Sequence, residues 1–371
     1  MKKNMKLLIS LSVVVVLVAL IFWHQMQKTN DVKSDIKIGA ILPLTGVFAF
    51  AGESCRNGML LAVEKFNETD PNIIIQVLCE DGKGTSKDSL SSYNKLLQKN
   101  ITMFFCAASV TAEAIVNPLL KQLTLLAIVS DSKITLKNNN VYNLTVNSNQ
   151  EISTIFRYLA GKNFKKIAII YQKDELGSEI NDVSRHFAPL FNLSIIANEE
   201  VSDAETVSSA IARVLAKHPE AIFIGTAGNN AALIAKKLRE SNYSGRICAL
   251  KSFNTPRITN QAGEAANGIY ICYTPYDLVD SQEELLRFKT SYKARFNTSP
   301  DIMAAYSFCI IDLALKACKE AHFDIEKTKQ ILSATKDQPS IFGPITCAED
   351  RIFVFPIDVG ILNNGQIQLE E

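Results

Sequence analysis

Residues 36–67 read IKIGAILPLTGVFAFAGESCRNGMLLAVEKFN, and this stretch decides the fold. Ile36, Ile38, Ala40 and Ile41 crowd together as a short strand. Pro43, Thr45 and Gly46 end it, since proline lacks the N–H a sheet ladder needs and glycine favours turns. Gly52 and Gly58 bracket the start of a helix carrying Met59, Leu60, Ala62, Val63 and Phe66 at helical spacing. A strand that ends in a small-residue loop and runs into a helix sets backbone N–H groups at a cleft, where a ligand can sit.

The same alternation continues outward. Strands are expected at 73–78, 101–106 and 125–129, with helices at 86–98 and 111–122. A second series follows: helices at 151–159, 180–187, 207–216 and 231–239, and strands at 166–171, 194–197, 221–225, 246–250 and 268–273. This order implies α/β units with parallel sheets covered by helices on both faces. The first half and the middle read as two such units. The last third adds helices at 283–295 and 303–321 and strands at 343–346, 353–358 and 361–362, with a turn at Asn363-Asn364-Gly365, but no third domain.

The bulk numbers agree. A chain of 371 residues suggests about two domains, and its 47% hydrophobic content supplies two cores. With 39 Lys+Arg against 38 Asp+Glu and no basic stripe, a nucleic-acid partner is not expected. Phosphate-loop and dinucleotide fingerprints are absent. His24, His186, His218 and His322 share no motif context, and no nucleophile elbow or zinc-protease pattern is readable. No enzyme activity, cofactor or metal is therefore expected.

Lys2, Lys3 and Lys6 precede an apolar run at 7–23, followed by a polar linker at 25–35. The run reads either as an uncleaved membrane anchor or as a cleaved signal peptide. Both place the body outside the cytoplasm, periplasmic or extracytoplasmic. Eight cysteines, at 55, 79, 106, 248, 272, 309, 318 and 347, are read either as disulfide partners or as buried free thiols.

Taken together, the motifs resemble the periplasmic solute-binding proteins of ABC transporters, of the leucine/isoleucine/valine-binding, type I kind. The likeness rests on LPLTG at 42–46, Gly52-Glu53, Asn57-Gly58 and LAVEKFN at 61–67. Further on, Asp174-Glu175-Leu176-Gly177 resembles the family's DDxYG, and residues 225–232 resemble its GYGxDAA helix start. Ser299-Pro300 with Ala304-Ala305 is similar to a helix opening, and Gly343-Pro344-Ile345-Thr346 to the late GPIT strand. The order is kept from residue 36 to the C-terminus.

The resemblance implies two Rossmann-like lobes joined by three hinge crossings, near Thr145, Tyr273 and Phe353. Lobe 1 would be residues 36–145 and 274–352, and lobe 2 residues 146–273 and 353–371, after an N-terminal segment at 1–35. It implies a binding protein that captures a small molecule, an amino acid or other carboxylate, between its lobes. The partner would be an ABC transporter membrane permease. The alternative is a membrane-anchored sensing module that signals to a partner protein.

It also implies site residues. Ser109, in the run Cys106-Ala107-Ala108-Ser109, matches the serine that offers hydroxyl and N–H to a ligand carboxylate; the alternative is an ordinary helix cap. Ser132 would replace a threonine hydroxyl and Asp131 would accept from a ligand amine, or both make a turn. Leu176 and Ala227 stand where the family has tyrosines, and Lys251 where it often has an acid. A lysine there repels an ammonium and attracts a second carboxylate, or is a solvated surface lysine. Phe48 and Phe50 supply apolar walls or lobe core. These departures suit a leucine-type ligand poorly and favour an acidic or larger, mostly uncharged one.

Overall fold

The computed structural model describes residues 34–46, 48–70, 73–119, 124–129, 139–278 and 282–370. The apolar run at 7–23, Asp131 and Ser132 lie outside them. Among the described residues, no helix is long and apolar enough to cross a membrane.

Lobe 1 is built on strands β1 (Ser34–Leu42), β2 (Ile73–Asp81), β3 (Met103–Ala107), β4 (Leu125–Val129) and β5 (Val141–Asn143). They lie in the order β2-β1-β3-β4-β5, all parallel. The connecting helices are α1 (Ala49–Thr69), α2 (Ser86–Leu97) and α3 (Ser109–Leu119). Alternate strand residues point to opposite faces of the sheet. Ile38, Ala40, Phe105 and Ala127 therefore join one apolar cluster, while Ile41, Phe104, Cys106 and Leu126 join another. Both faces are covered, so β3 and β4 are buried along their whole length.

Lobe 2 follows with α4 (Ser148–Gly161), β6 (Lys166–Gln172), α5 (Glu175–Leu190), β7 (Ser194–Val201) and α6 (Ala204–Leu215). It continues through β8 (Ala221–Gly225), α7 (Asn229–Glu240), β9 (Arg246–Ala249), α8 (Pro256–Ala262) and β10 (Ile269–Tyr273). The chain then returns to lobe 1 for α9 (Glu283–Phe296), α10 (Ile302–Glu320), α11 (Ile325–Ser333) and a small antiparallel sheet of β11 (Gln338–Ser340), β12 (Gly343–Cys347) and β13 (Phe353–Val354). Finally β14 (Asp358–Asn363) and β15 (Gln366–Gln368) complete the second sheet, whose order is β15-β14-β10-β9-β8-β6-β7. β14 runs antiparallel to β10.

Three details add to the sequence reading or depart from it. Helix α1 begins at Ala49, so Gly52 and Gly58 lie inside it rather than at its start. Their role is contact. A Cβ on Gly58 would stand 2.1 Å from the Ala304 carbonyl oxygen, so only glycine lets α1 cross α10 this closely. Phe353 and Phe355 are buried in the same apolar cluster as the lobe 1 strands. All eight cysteines are free thiols, which selects the unpaired reading over disulfides.

Candidate ligand-binding site

The lobe 1 half of the site is assembled at the carboxyl ends of β1, β3 and β4. The LPLTG loop leaves β1 and is fastened by Asp81, the last residue of β2. Asp81 Oδ1 accepts the Leu44 N–H at 2.9 Å and the Lys83 N–H at 2.8 Å, and Oδ2 accepts the Thr45 hydroxyl at 2.6 Å. Burial alone would raise this carboxyl's pKa; the hydroxyl and N–H donors outweigh it and hold the pKa below the ordinary value. A Cβ on Gly52 would stand 2.1 Å from the Pro43 carbonyl oxygen, so glycine is what lets the first turns of α1 close on the loop.

Beside it, β3 ends at Ala107 and α3 opens at Ser109. The turn between them passes through Ala108 at φ +99°, a conformation an L-residue seldom adopts. Ala108 N–H donates to the Val129 carbonyl at 3.3 Å, and its own carbonyl accepts the Ala112 N–H at 3.2 Å. A cavity of about 210 Å³ lies here, walled by Pro43, Phe48, Gly52, Ala108, Ser109, Thr145 and Met303 among others.

The lobe 2 half lies at the carboxyl ends of β6 and β8. Asp174 caps α5, its Oδ1 accepting the Gly177 N–H at 2.8 Å. Gln172 ends β6, and its Oε1 accepts from the Thr226 hydroxyl at 3.2 Å and from Asn230 Nδ2 at 2.9 Å. Asn230 also donates to the Ser202 carbonyl at 3.2 Å. Beside these contacts lies a cavity of about 300 Å³, lined by Gln172, Asp174, Thr226 and Asn230 together with Leu176, Ala227, Asn229 and Arg257.

Of the candidate residues, Phe48, Ala108 and Ser109 therefore line the lobe 1 cavity, and Leu176 and Ala227 the lobe 2 cavity. Phe48 is 60% exposed and Leu176 41%, so neither belongs to a lobe core. Phe50, 71% exposed, lines neither cavity. Lys251 also lines neither, and it is not a solvated surface lysine. Its side chain is 16% exposed and its ammonium is paired with the Asp277 carboxylate. Its backbone N–H donates to Glu151 Oε2 at 2.9 Å.

Sequence reasoning missed Gln172, Thr226, Asn229, Asn230, Arg257 and Met303, and took Thr145 for a hinge residue only. A usable signal existed for two of them. Gln172 and Thr226 stand at or just past the ends of expected strands, where an open α/β sheet places its ligand contacts.

Comparison with known proteins bears on the fold and the family. The sequence profile of the periplasmic binding protein family matches residues 35–366. The Leu/Ile/Val-binding protein BraC3 of Rhizobium johnstonii is 22% identical over 328 residues, covering 85% of this chain and 88% of that protein. Among solved structures, the branched-chain amino acid transporter substrate-binding protein LivJ of Streptococcus pneumoniae, in complex with isoleucine, superposes with a TM-score of 0.72. It is 23% identical, with 90% of this chain and 98% of that chain covered. An ABC transporter solute-binding protein of Rhodopseudomonas palustris BisB5, in complex with 3,4-dihydroxy benzoic acid, gives a TM-score of 0.70 at 19% identity, with coverages of 90% and 95%. The two-lobed α/β architecture is shared with these structures, and on the profile match over nearly its whole length the chain belongs to the periplasmic binding protein family.

Proposed function

We propose that this chain is an extracytoplasmic solute-binding protein that closes its two lobes on a small carboxylate-bearing molecule and presents it to an ABC transporter permease. The observation that carries the reading is the pair of cavities, one per lobe, each at the carboxyl ends of its own parallel strands. Ser109, at the head of α3, is the proposed carboxylate contact; the helix N-terminus and the serine hydroxyl both favour an anion. Phe48, Ala108, Leu176 and Ala227 are the proposed walls around it. The lobes are proposed as residues 36–145 and 274–355 against 146–273 and 358–371, with the third crossing moved to residues 356–357 because Phe353 and Phe355 pack in lobe 1. Hinge closure between two such lobes encloses a ligand and excludes water.

Isoleucine and 3,4-dihydroxy benzoic acid, bound by the two relatives described above, share a carboxylate; only one of them has an ammonium. The carboxylate is the group this chain is equipped to receive at Ser109. At the position of the family's frequent acid, Lys251 is already matched with Asp277 and offers an ammonium nothing.

The test is a thermal-shift and calorimetric panel of branched-chain amino acids and of aliphatic and aromatic carboxylates on the purified protein, with mass spectrometry of any co-purifying ligand. A ligand at 100 times its Kd stabilises the folded form by about 2.7 kcal/mol, which is readily seen as a raised Tm. Ser109→Ala is expected to weaken carboxylate binding about tenfold. If no compound shifts the Tm and none co-purifies, solute capture is not what this chain does.

A further inference from the structure

We propose that Arg257 is the specificity-determining residue of lobe 2, and that the ligand carries a second anionic group, at the end away from Ser109, which the Arg257 guanidinium receives. This rests on the carboxylate reading of the same cleft.

The charges around the two cavities point this way. No charged side chain lines the lobe 1 cavity among the described residues. The lobe 2 cavity has two, Asp174 and Arg257. Asp174 is committed to capping α5 through the Gly177 N–H. Arg257 is exposed and makes no ion pair or side-chain hydrogen bond among the described residues. The other basic side chain that sequence analysis placed in the site, Lys251, is neutralised by Asp277, and the nearby Glu151 carboxylate is taken by the Lys251 N–H. Asp174 keeps its negative charge at the head of α5, so Arg257 is the charged side chain of this cavity whose donors are left for a ligand.

Its backbone is well held. Arg257 stands between Pro256, which opens α8 with a fixed φ, and Ile258, which is buried in the lobe 2 core. A guanidinium on such a base presents a planar fork suited to a carboxylate or phosphate. The open form keeps it hydrated at no cost. Closing the lobes removes that water, and a desolvated cation without a partner is heavily penalised. A ligand with an anionic group at this end lifts the penalty, whereas one with an apolar end does not. Arg257 therefore selects by rejecting, as well as by attracting.

The experiment is calorimetric titration of the full protein with matched pairs of acids: pentanoate and glutarate, hexanoate and adipate, benzoate and terephthalate. In the wild type, the best dicarboxylate is expected to bind about 10- to 100-fold tighter than its monocarboxylate partner. Arg257→Met is expected to erase that preference from both sides, weakening dicarboxylates and tightening monocarboxylates because no guanidinium is left to be desolvated without a partner, and Arg257→Lys to restore part of it. Equal affinity within every pair, or a preference that survives Arg257→Met, overturns the second-anion assignment and leaves the carboxylate reading standing. Failure of every carboxylate to bind removes the carboxylate reading and this one with it.

Discussion

Lys251 sets its ammonium against Asp277 Oδ2, the same oxygen that accepts the Thr274 N–H at 2.7 Å and the Thr274 hydroxyl at 2.8 Å. Lys251 follows β9, and Asp277 lies on the segment leaving β10 for lobe 1. The pair thus ties the turn after β9 to the short 3-10 turn that follows β10. With side chains 16% and 17% exposed, it is poorly screened by solvent. Lys251→Met is expected to destabilise the protein by about 1–3 kcal/mol, since Asp277 loses its cation while partly buried. Urea unfolding measures the loss, and titration should show ligand affinity unchanged. Weakened binding at unaltered stability would put Lys251 back in contact with ligand.

Ala108 stores strain at the mouth of the lobe 1 cavity. Its φ of +99° lies where side chains crowd the backbone, and a β-branched residue suffers most. Ala108→Val should cost about 1–3 kcal/mol. Ala108→Gly should be neutral or stabilising, the reverse of the usual order for these residues, because relief of strain offsets glycine's larger unfolded-state entropy. Thermal unfolding of the two variants separates this from a simple loss of packing, in which glycine would also destabilise.

Near the C-terminus, Glu370 accepts from the Tyr158 hydroxyl at 2.6 Å, from Arg246 at 3.0 Å and from Lys162 at 2.9 Å. Arg246 itself lies 4.0 Å from the centre of the Tyr270 ring. Burial would raise the Glu370 pKa, but these donors overcome it and bring the value from 4.5 to about 2. A depressed folded-state pKa gives stability that is complete above the unfolded value and is lost as pH falls toward the folded one. The wild type should therefore be more stable than Glu370→Gln above pH 4.5, and the gap should close between 4.5 and about 2. Tm measured against pH for both proteins checks this; a constant gap across that window contradicts it.

The thiols offer a chemical count. Burial pushes Cys55 and Cys248 up to about 12, and Cys318 and Cys347 up to about 11, far from the thiolate form that reacts. A disulfide-exchange reagent should label the native protein slowly, beginning at half-buried Cys79. Without reductant, all eight should titrate in denaturant. A shortfall in the denatured count would mean that pairs of thiols have oxidised.

How far the sequence speaks depends on the range of the forces involved. The strand at 125–129 was readable to the residue because five consecutive apolar residues bounded by polar ones leave little choice. The three residues of β5 and the seven of α8 are too short to show a period. Gly52 and Gly58 look like helix breakers locally; their partners, Pro43 and Ala304, are supplied by the fold. Ser109, Phe48, Leu176 and Ala227 were named because motif spacing survives in one dimension. The commitment of Lys251 to Asp277, and the place of Arg257 beside Gln172 and Leu176, exist only once strand ends are set side by side.

The seam between α1 and α10 has a consequence for how the chain is made. Ser54 on α1 donates to Asp301 at the head of α10 across 247 positions of sequence. On the other side of the molecule, β10 waits for β14, among the last strands of the chain. Neither lobe has all its walls until translation is almost over, and contacts of such long range form slowly. The segments that close both cores, from residue 283 onward, are thus the last to be made.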